Sequence, residues 1–329
     1  MRVVTPSHAS EENRVVYDVL TMGRSCIDLY AHQIGVPITE VTSFDAYVGG
    51  CPTNISVGTR RLGLRSALLT AVGDDQVADF VLAFLRREGV ETRFIPRKPG
   101  RRTSAVIMAI QPPDSFPLTF YRDGCADREL TIDDVDRAPI AESAIVLVTG
   151  TGLSHEPGRS ATYHAAKLAR AAGAQLFVDV DYRPDQWPTR AAFADAMQAL
   201  LRDATLAIGT EEEIMAAADD DYVEKAIAKL VKGGPAPLVL KRGARGATLF
   251  RDGSRSDVPP FKIDVLNVLG AGDAFASGLI TGIRRGWPLE RAIRMGNATG
   301  AIVVTRHGCA NFMPTDAEVE AFVREQGGW

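Results

Sequence analysis

The run NVLGAGDAFASG, Asn267 to Gly278, sets three small residues and then an acid at the head of a stretch of small and apolar residues with helical character. Amides at a helix start lack intrahelical partners and sit at the positive end of the macrodipole, so they attract anions. Gly270 and Gly272 carry no Cβ, which lets the amides around Ala271 converge on a phosphoryl group. Asp273, in the first turn, is placed to accept a proton from an attacking hydroxyl. Phosphoryl transfer asks chiefly for such positioning and charge stabilisation. The plainer reading is that Asp273 only favours a helix N-terminus. Other nucleotide motifs do not account for the run: the chain has no G-x-x-x-x-G-K-[ST], and G-A-G-D-A-F lacks the third glycine of a dinucleotide fingerprint and lies far from the first strand.

Upstream of this run, near-continuous apolar segments at 15–22, 66–72, 144–150, 175–180, 205–209 and 237–241 alternate with amphipathic ones. Strands of that kind suit a parallel sheet covered on both faces. PTNISVGTRRLG (52–63) reads as a helix with Pro52 in its first turn and Gly63 at its C-terminal cap. Helices also follow over 272–286, 288–305 and 315–326, the last with Thr315 and Asp316 as capping groups. The expected fold class is α/β, in three layers around a mostly parallel central sheet. Residues 38–48 and 92–121 read as strands without partner helices, expected to pair with each other as a small β lid. The expected organisation is a flexible N-terminal segment, 1–14, and one domain, 15–329, carrying the lid.

The 329 residues, 46% hydrophobic and 24% charged, suffice for one large core. A net charge of −4 argues against nucleic acid and anionic membrane as partners, so an anionic ligand must be held by local arginines or backbone amides. The four cysteines contain no C-x-x-C pair and the five histidines show no ligand spacing. Neither a disulfide framework nor a transition-metal site is expected, and a cytoplasmic location follows from the absence of a leader-like or membrane-spanning apolar segment.

Five ordered elements together point further. They are Gly23-x-x-x-x-Asp28, Gly49-Gly50-Cys51-Pro52-Thr53-Asn54, Gly209-Thr210-Glu211-Glu212-Glu213, Lys241-Arg242-Gly243-Ala244-Arg245-Gly246, and Asn267 to Gly278. Their order and content resemble the ribokinase-like (PfkB) carbohydrate kinases over nearly all of residues 17–320. The resemblance implies a ribokinase-like fold, ATP as phosphoryl donor and Mg²⁺. By it, Asp273 is the base and the amides of Gly270, Ala271 and Gly272 form the anion hole. Asp28, Gly50 and Asn54 hold the sugar, and Glu213 orients Mg²⁺ and its waters, as suits a carboxylate beside a hydrated hard cation. Lys241, Gly243, Gly246 and Asn297 border the nucleotide. Without the family, Glu211 to Glu213 read simply as first-turn acids. The sequence departs from the family at Thr210, where many relatives carry asparagine, and at Asn267, where an aspartate often helps bind a monovalent cation; neither property is carried over.

Two arginine stretches bear on the acceptor: Phe120-Tyr121-Arg122-Asp123 and Asp181-Tyr182-Arg183-Pro184-Asp185. A guanidinium suits a carboxylate because its planar fork donates parallel hydrogen bonds. The alternative is pairing with the neighbouring Asp123 or Asp185. These stretches, with GRSCIDLY (23–30) and GCANFMPT (308–315), resemble the family's sugar-acid kinases of myo-inositol breakdown and, next, those acting on 2-keto-3-deoxygluconate. The resemblance implies phosphorylation of the terminal 6-hydroxyl of a deoxy keto-acid, with Arg122 and Arg183 binding its oxygens. Rival classes are a non-catalytic sugar-acid sensor and a nicotinamide oxidoreductase, the latter disfavoured by the missing fingerprint. A homodimer through the lid strands, using Val41, Phe44 and Tyr47, is a further expectation.

Overall fold

Along the central strands, neighbouring apolar residues enter opposite layers. Val19, Ile145, Leu147, Phe177 and Ile208 pack into one apolar cluster, and Leu20, Val146, Val148, Leu176 and Val178 into another. A strand buried on both faces has no polar side to show, which is why these segments read as continuous apolar runs. The computed structural model describes residues 15–111, 116–235 and 237–329. The expected segment 1–14 lies outside the described residues.

The main sheet has eight strands in the spatial order Ser254–Val258, Ala247–Arg251, Leu238–Lys241, Leu206–Thr210, Gln175–Asp179, Ser143–Thr149, Tyr17–Met22, Ser66–Leu69. From Leu238–Lys241 to Ser66–Leu69 every pairing is parallel. The first two strands form an antiparallel hairpin on its edge. That hairpin is absent from the sequence reading, yet its signal is present: Asp252 and Gly253 both take positive φ, 51° and 74°, as a tight primed turn requires. Tyr17–Met22 lies between Ser66–Leu69 and Ser143–Thr149, so the chain reverses its winding there. Ligand clefts of open α/β sheets form at the strand C-termini beside such a reversal.

One helical layer is drawn unusually close. A Cβ on Gly58, in the helix Cys51–Arg61, would lie 2.3 Å from Ser277 Oγ, and one on Gly278 would lie 2.5 Å from Thr299 Oγ1. Gly296 meets the Phe275 carbonyl at 2.8 Å in the same sense. The helices Cys51–Arg61, Ala271–Arg284 and Leu289–Val303 therefore touch backbone to backbone, which fixes Asn54 against the N-terminus of the second. The C-terminal helix Asp316–Glu325 begins with the expected Thr315 cap, closed as a capping box with Glu318.

A second sheet of four strands runs Phe44–Gly49, Cys26–Ile34, Ser104–Ile110, Leu118–Tyr121. It departs from the expected lid in three ways. Its central strand, Cys26–Ile34, was not among the expected lid strands and separates the two expected segments, which therefore do not pair with each other. Residues 38–40 form a 3₁₀ turn instead of a strand. Within 92–103 the only named strand is Arg97–Lys98, paired with Val72–Gly73 outside this sheet. The reason is hydrophobic demand: Cys26 and Tyr30 are fully buried and belong at a sheet's centre, whereas half-exposed residues 38–43 have no core to face.

Candidate active site

The C-terminal ends of Tyr17–Met22, Ser143–Thr149, Gln175–Asp179, Leu206–Thr210 and Leu238–Lys241 meet the N-terminus of the helix Ala271–Arg284. Gly270 caps that helix in the left-handed region, φ 78°, and a Cβ there would stand 2.9 Å from Cys309 Sγ. A Cβ on Gly272 would stand 3.2 Å from Lys241 Nζ. The two glycines thus keep side-chain bulk out of this turn and admit an ammonium beside it. The Ala271 amide donates to the Val268 carbonyl at 3.3 Å, so of the three expected anion-hole amides those of Gly270 and Gly272 are the ones left without such a bond.

Asp273, half-buried, accepts a hydrogen bond from Asn54 Nδ2 at 2.7 Å. Burial raises its pKa, while hydrogen bonds from Asn54 and Cys51 hold it down. Asn54 Oδ1 is buried with no protein partner, an acceptor to spare beside Asp273.

Around this pair, acids outnumber bases. Lys241 Nζ lies 3.3 Å from Asp179 and 3.6 Å from Glu213. Burial, with Glu213, Asp181 and Asp273 nearby, pushes Asp179 up to about 7 against the pull of Lys241. Lys241 is held charged: burial works against the ammonium, and Asp179 and Glu213 more than offset it. Asp181 has φ 36°, in the left-handed region where a side chain is strained, and its carboxylate accepts from Thr151 Oγ1 at 3.1 Å and Arg183 Nη2 at 2.9 Å. Glu213 sits in a capping box, Oε2 accepting from the Thr210 amide at 2.7 Å. Thr210 therefore serves the helix start directly, whichever residue relatives carry there.

For Mg²⁺, the donors are of the right kind. Only Oε2 of Glu213 is committed to the cap, and the surplus of carboxylates suits a hard cation. Among the described residues no three acidic, cysteine or histidine side chains converge as a ligand cage. Such a set fits an ion held largely by phosphate and water, with Glu213 as its protein anchor.

On the side of the covering sheet, Asp28 is buried with its carboxylate directly over Gly49, where a Cβ would lie 1.8 Å from Oδ2. Burial pushes its pKa to about 6, against the pull of Arg24 and the Cys26 thiol. Gly50, at φ 109°, would set a Cβ 2.3 Å from the Arg24 carbonyl. Its role is backbone clearance at the helix start, which also keeps it against the acceptor side.

The two expected arginines differ from expectation. Arg122 is buried and already engaged: Nε donates to Asp127 at 2.6 Å, and Nη1 to Gln186 Oε1 at 2.5 Å and to the Thr151 carbonyl. The sequence neighbour Asp123 pairs instead with Arg128. A guanidinium held by a buried carboxylate has little left to offer a second one. Arg183 is about 39% exposed, its Nε and Nη2 both on Asp181 Oδ1. It remains open to the cleft, and Glu213 and Asp273 lie near enough to act on it.

The nucleotide residues separate. Gly243 is open and Gly246 needs its positive φ, 80°, to clear the Val258 carbonyl. Asn297 is spent on structure, its Nδ2 donating to the Val258 and Pro259 carbonyls at 3.2 and 2.8 Å. Its amide nitrogen thus shapes the turn around Gly246. Asn267 is fully buried, with Oδ1 accepting from the Leu269 amide and Nδ2 unpartnered.

Sequence reasoning overlooked Arg24, Asp179, Asp181 and Cys51 as members of the cluster. Asp179 and Asp181 had a signal, since acids at the C-terminal end of a parallel strand point into the cleft. Cys51 had none beyond its place two residues after Gly49.

A left-handed glycine turn opening a helix, an acid in that helix's first turn and an ammonium beside the turn define a phosphoryl-transfer centre on an α/β sheet. The chain matches the model of the pfkB family carbohydrate kinases over residues 17–316 and belongs to that family. It is 34% identical over 314 residues to the 5-dehydro-2-deoxygluconokinase of Shouchella clausii, covering 94% of this chain and 96% of that one. Among solved structures, the PfkB protein from Polaromonas sp. JS666 superposes with TM-score 0.83 at 26% identity, covering 93% of this chain and 100% of that one. The uncharacterized sugar kinase PH1459 from Pyrococcus horikoshii, solved in complex with ATP, superposes with TM-score 0.79 at 25% identity, covering 91% and 96%. The ribokinase-like α/β fold and the carbohydrate-kinase class are thereby established for this chain.

Proposed function

We propose that this protein transfers the γ-phosphoryl group of ATP to the 6-hydroxyl of 5-dehydro-2-deoxy-D-gluconate, a step of myo-inositol catabolism. The observation that carries phosphoryl transfer is the Asp273 carboxylate, fixed by Asn54 at 2.7 Å, in the helix turn that the left-handed Gly270 opens. The choice of acceptor is supported by relatives of that printed activity aligned over 94% of the chain.

In this reading Asp28, Gly50 and Asn54 hold the acceptor so that its hydroxyl faces Asp273. Asp273 takes the proton as the hydroxyl oxygen attacks; burial raises its pKa, which makes it a better base than an exposed aspartate. The amides of Gly270 and Gly272 and the Lys241 ammonium face the charge that spreads over the transferred group, with Ala271 between the two amides. Gly243 and Gly246 border the nucleotide. Mg²⁺, bound with ATP and anchored by Glu213, supplies charge neutralisation between the phosphates. Arg183 faces the acceptor's oxygens, and Arg122 shapes that pocket from behind through Asp127 and Gln186.

The four-stranded sheet serves as the lid that shuts water from the transfer. Ile34, Phe44 and Tyr121 on it are exposed and suit a homodimer; Tyr47 is turned inward against Phe312. A solution mass of one chain removes that assembly. Four buried free cysteines support a reducing, cytoplasmic setting.

The test is coupled ADP release over a panel of 5-dehydro-2-deoxygluconate, 2-keto-3-deoxygluconate, fructose, ribose and adenosine. The first should be preferred, and Asp273→Asn should lower its turnover by roughly 10²- to 10⁴-fold. Preference for 2-keto-3-deoxygluconate or for a neutral sugar overturns the acceptor, and near-normal activity of Asp273→Asn overturns the base.

A further inference from the structure

Three arginines approach the acceptor side, and their pairing differs. Arg122 is bonded to Asp127 and Arg183 to Asp181. Arg24 is more than nine-tenths buried, yet among the described residues no carboxylate lies within ion-pair distance of it; its hydrogen bond is from Nη1 to Cys26 Sγ at 2.9 Å. One face of the guanidinium lies 5.3 Å from the Phe120 ring centroid, on the lid strand that covers the cleft. A thiol is a weak acceptor, and a buried guanidinium with five donors and one weak partner is costly unless something else completes it.

The surroundings say what that is. Cys26, which accepts from Arg24, donates in turn to Asp28 Oδ1 at 2.9 Å, so the guanidinium and the acceptor-side carboxylate are joined through one sulfur. Its backbone is held rigidly: Thr53 Oγ1 donates to the Arg24 carbonyl at 3.0 Å, and Gly50 leaves room for that carbonyl. The guanidinium is thus pre-positioned on a fixed loop, beside the acceptor pocket, with its remaining donors unspent.

Building on the proposed acceptor, we propose that Arg24, and not Arg122 or Arg183, binds the carboxylate of the sugar-acid substrate. The planar fork meets two carboxylate oxygens with parallel N–H groups, and Phe120 stacks behind it. Asp28, close by, then receives acceptor hydroxyls and not the carboxylate, which it would repel. The acid therefore lies with its carboxylate towards residues 24–26 and its far hydroxyl towards Asp273.

The test compares two acceptors, 5-dehydro-2-deoxygluconate and the same sugar with its carboxylate reduced to the alcohol. Wild type and the variants Arg24→Gln, Arg24→Lys, Arg122→Gln and Arg183→Gln are assayed at saturating ATP. Arg24→Gln should raise KM for the acid roughly 10- to 100-fold, the range expected for losing a charge-assisted pair. KM for the neutral analogue and for ATP should hardly move. A residue that merely balanced Asp28 would penalise both acceptors alike, and that result overturns the proposal. So does an acid KM that stays put in Arg24→Gln while Arg122→Gln or Arg183→Gln carries the loss. Arg24→Lys keeps the charge without the fork and gives the same comparison should the glutamine variant fold poorly. If wild type does not phosphorylate the acid at all, the acceptor assignment fails first, and no variant is needed to see it.

Discussion

Replacing Asn54 by leucine tests how the base is tuned. Asn54 Nδ2 donates to Asp273 Oδ2 at 2.7 Å, and leucine keeps nearly the same volume without the donor. No other protein bond is lost, because Asn54 Oδ1 has no protein partner, and the variant's weaker hold on the acceptor is offset by saturating it. A hydrogen bond to a charged group is worth about 1.5–3 kcal/mol, and one pKa unit about 1.36 kcal/mol, so the Asp273 pKa should climb by roughly 1–2 units. The sign is fixed by the chemistry: the donor stabilises the carboxylate, its loss favours the protonated acid, and the acid is no base. The acidic limb of kcat against pH should therefore move up by about 1–2 pH units, while kcat well above the limb changes far less. The assay is ADP release at saturating acceptor and ATP from pH 4.5 to 9. Asp28, pushed to about 6, is the other acid of the cluster that could set an acidic limb. If the limb belonged to Asp28, Asn54→Leu would leave it in place, and an unmoved limb refutes the assignment of Asp273 as the base.

Two further outcomes follow from the same cluster. The pKa values of Asp28 and Asp179 are raised by burial to about 6 and about 7, so folding stability falls as pH rises from the unfolded value near 3.8 through those points. The carboxyls of Asp18, Asp75, Glu91 and Asp134 are lowered and contribute stability that is lost on acidification, so the melting temperature without ligands should peak between about pH 4 and 6; a steady rise to pH 8 contradicts this. Lys241→Met should lower kcat roughly 10²-fold with little change in KM for the acceptor. Were Lys241 only a partner for Asp179, the double variant with Asp179→Asn would recover kcat, and such recovery removes its proposed role at the phosphoryl group.

The six parallel strands were legible because each is buried on both faces and so carries an unbroken apolar run. The glycines of the 270–272 turn were legible for a like reason: an amide-lined turn needs a missing Cβ, and only one residue lacks it. The covering sheet was harder. Cys26–Ile34 carries neither an unbroken apolar run nor a clean alternation, being interrupted by Asp28, His32 and Gln33, and its membership is decided by partners far away in sequence, Phe44–Gly49 and Ser104–Ile110. The partners of the arginines were hidden for the same reason. Sequence offers Asp123 and Asp185 as neighbours, but the fold supplies Asp127, Gln186 and Asp181, and so decides which guanidinium is spent. Arg24 stood inside a quoted motif without comment, since nothing local marks an arginine as unpaired.

Tyr17–Met22, at the winding reversal of the main sheet, and Cys26–Ile34, an inner strand of the covering sheet, are joined by residues 23–25 alone. Gly23, at φ 141°, sits at the start of this link, and the Arg24 carbonyl is tied to the next helix by Thr53. Any tilt of one sheet on the other must turn about this short link, which carries Arg24 and leads within a few residues to Asp28. Tilt and grip are therefore geared together: an oversized acceptor would wedge the two sheets apart instead of merely crowding one side chain, and its misfit would be felt along the whole lever of the covering strands.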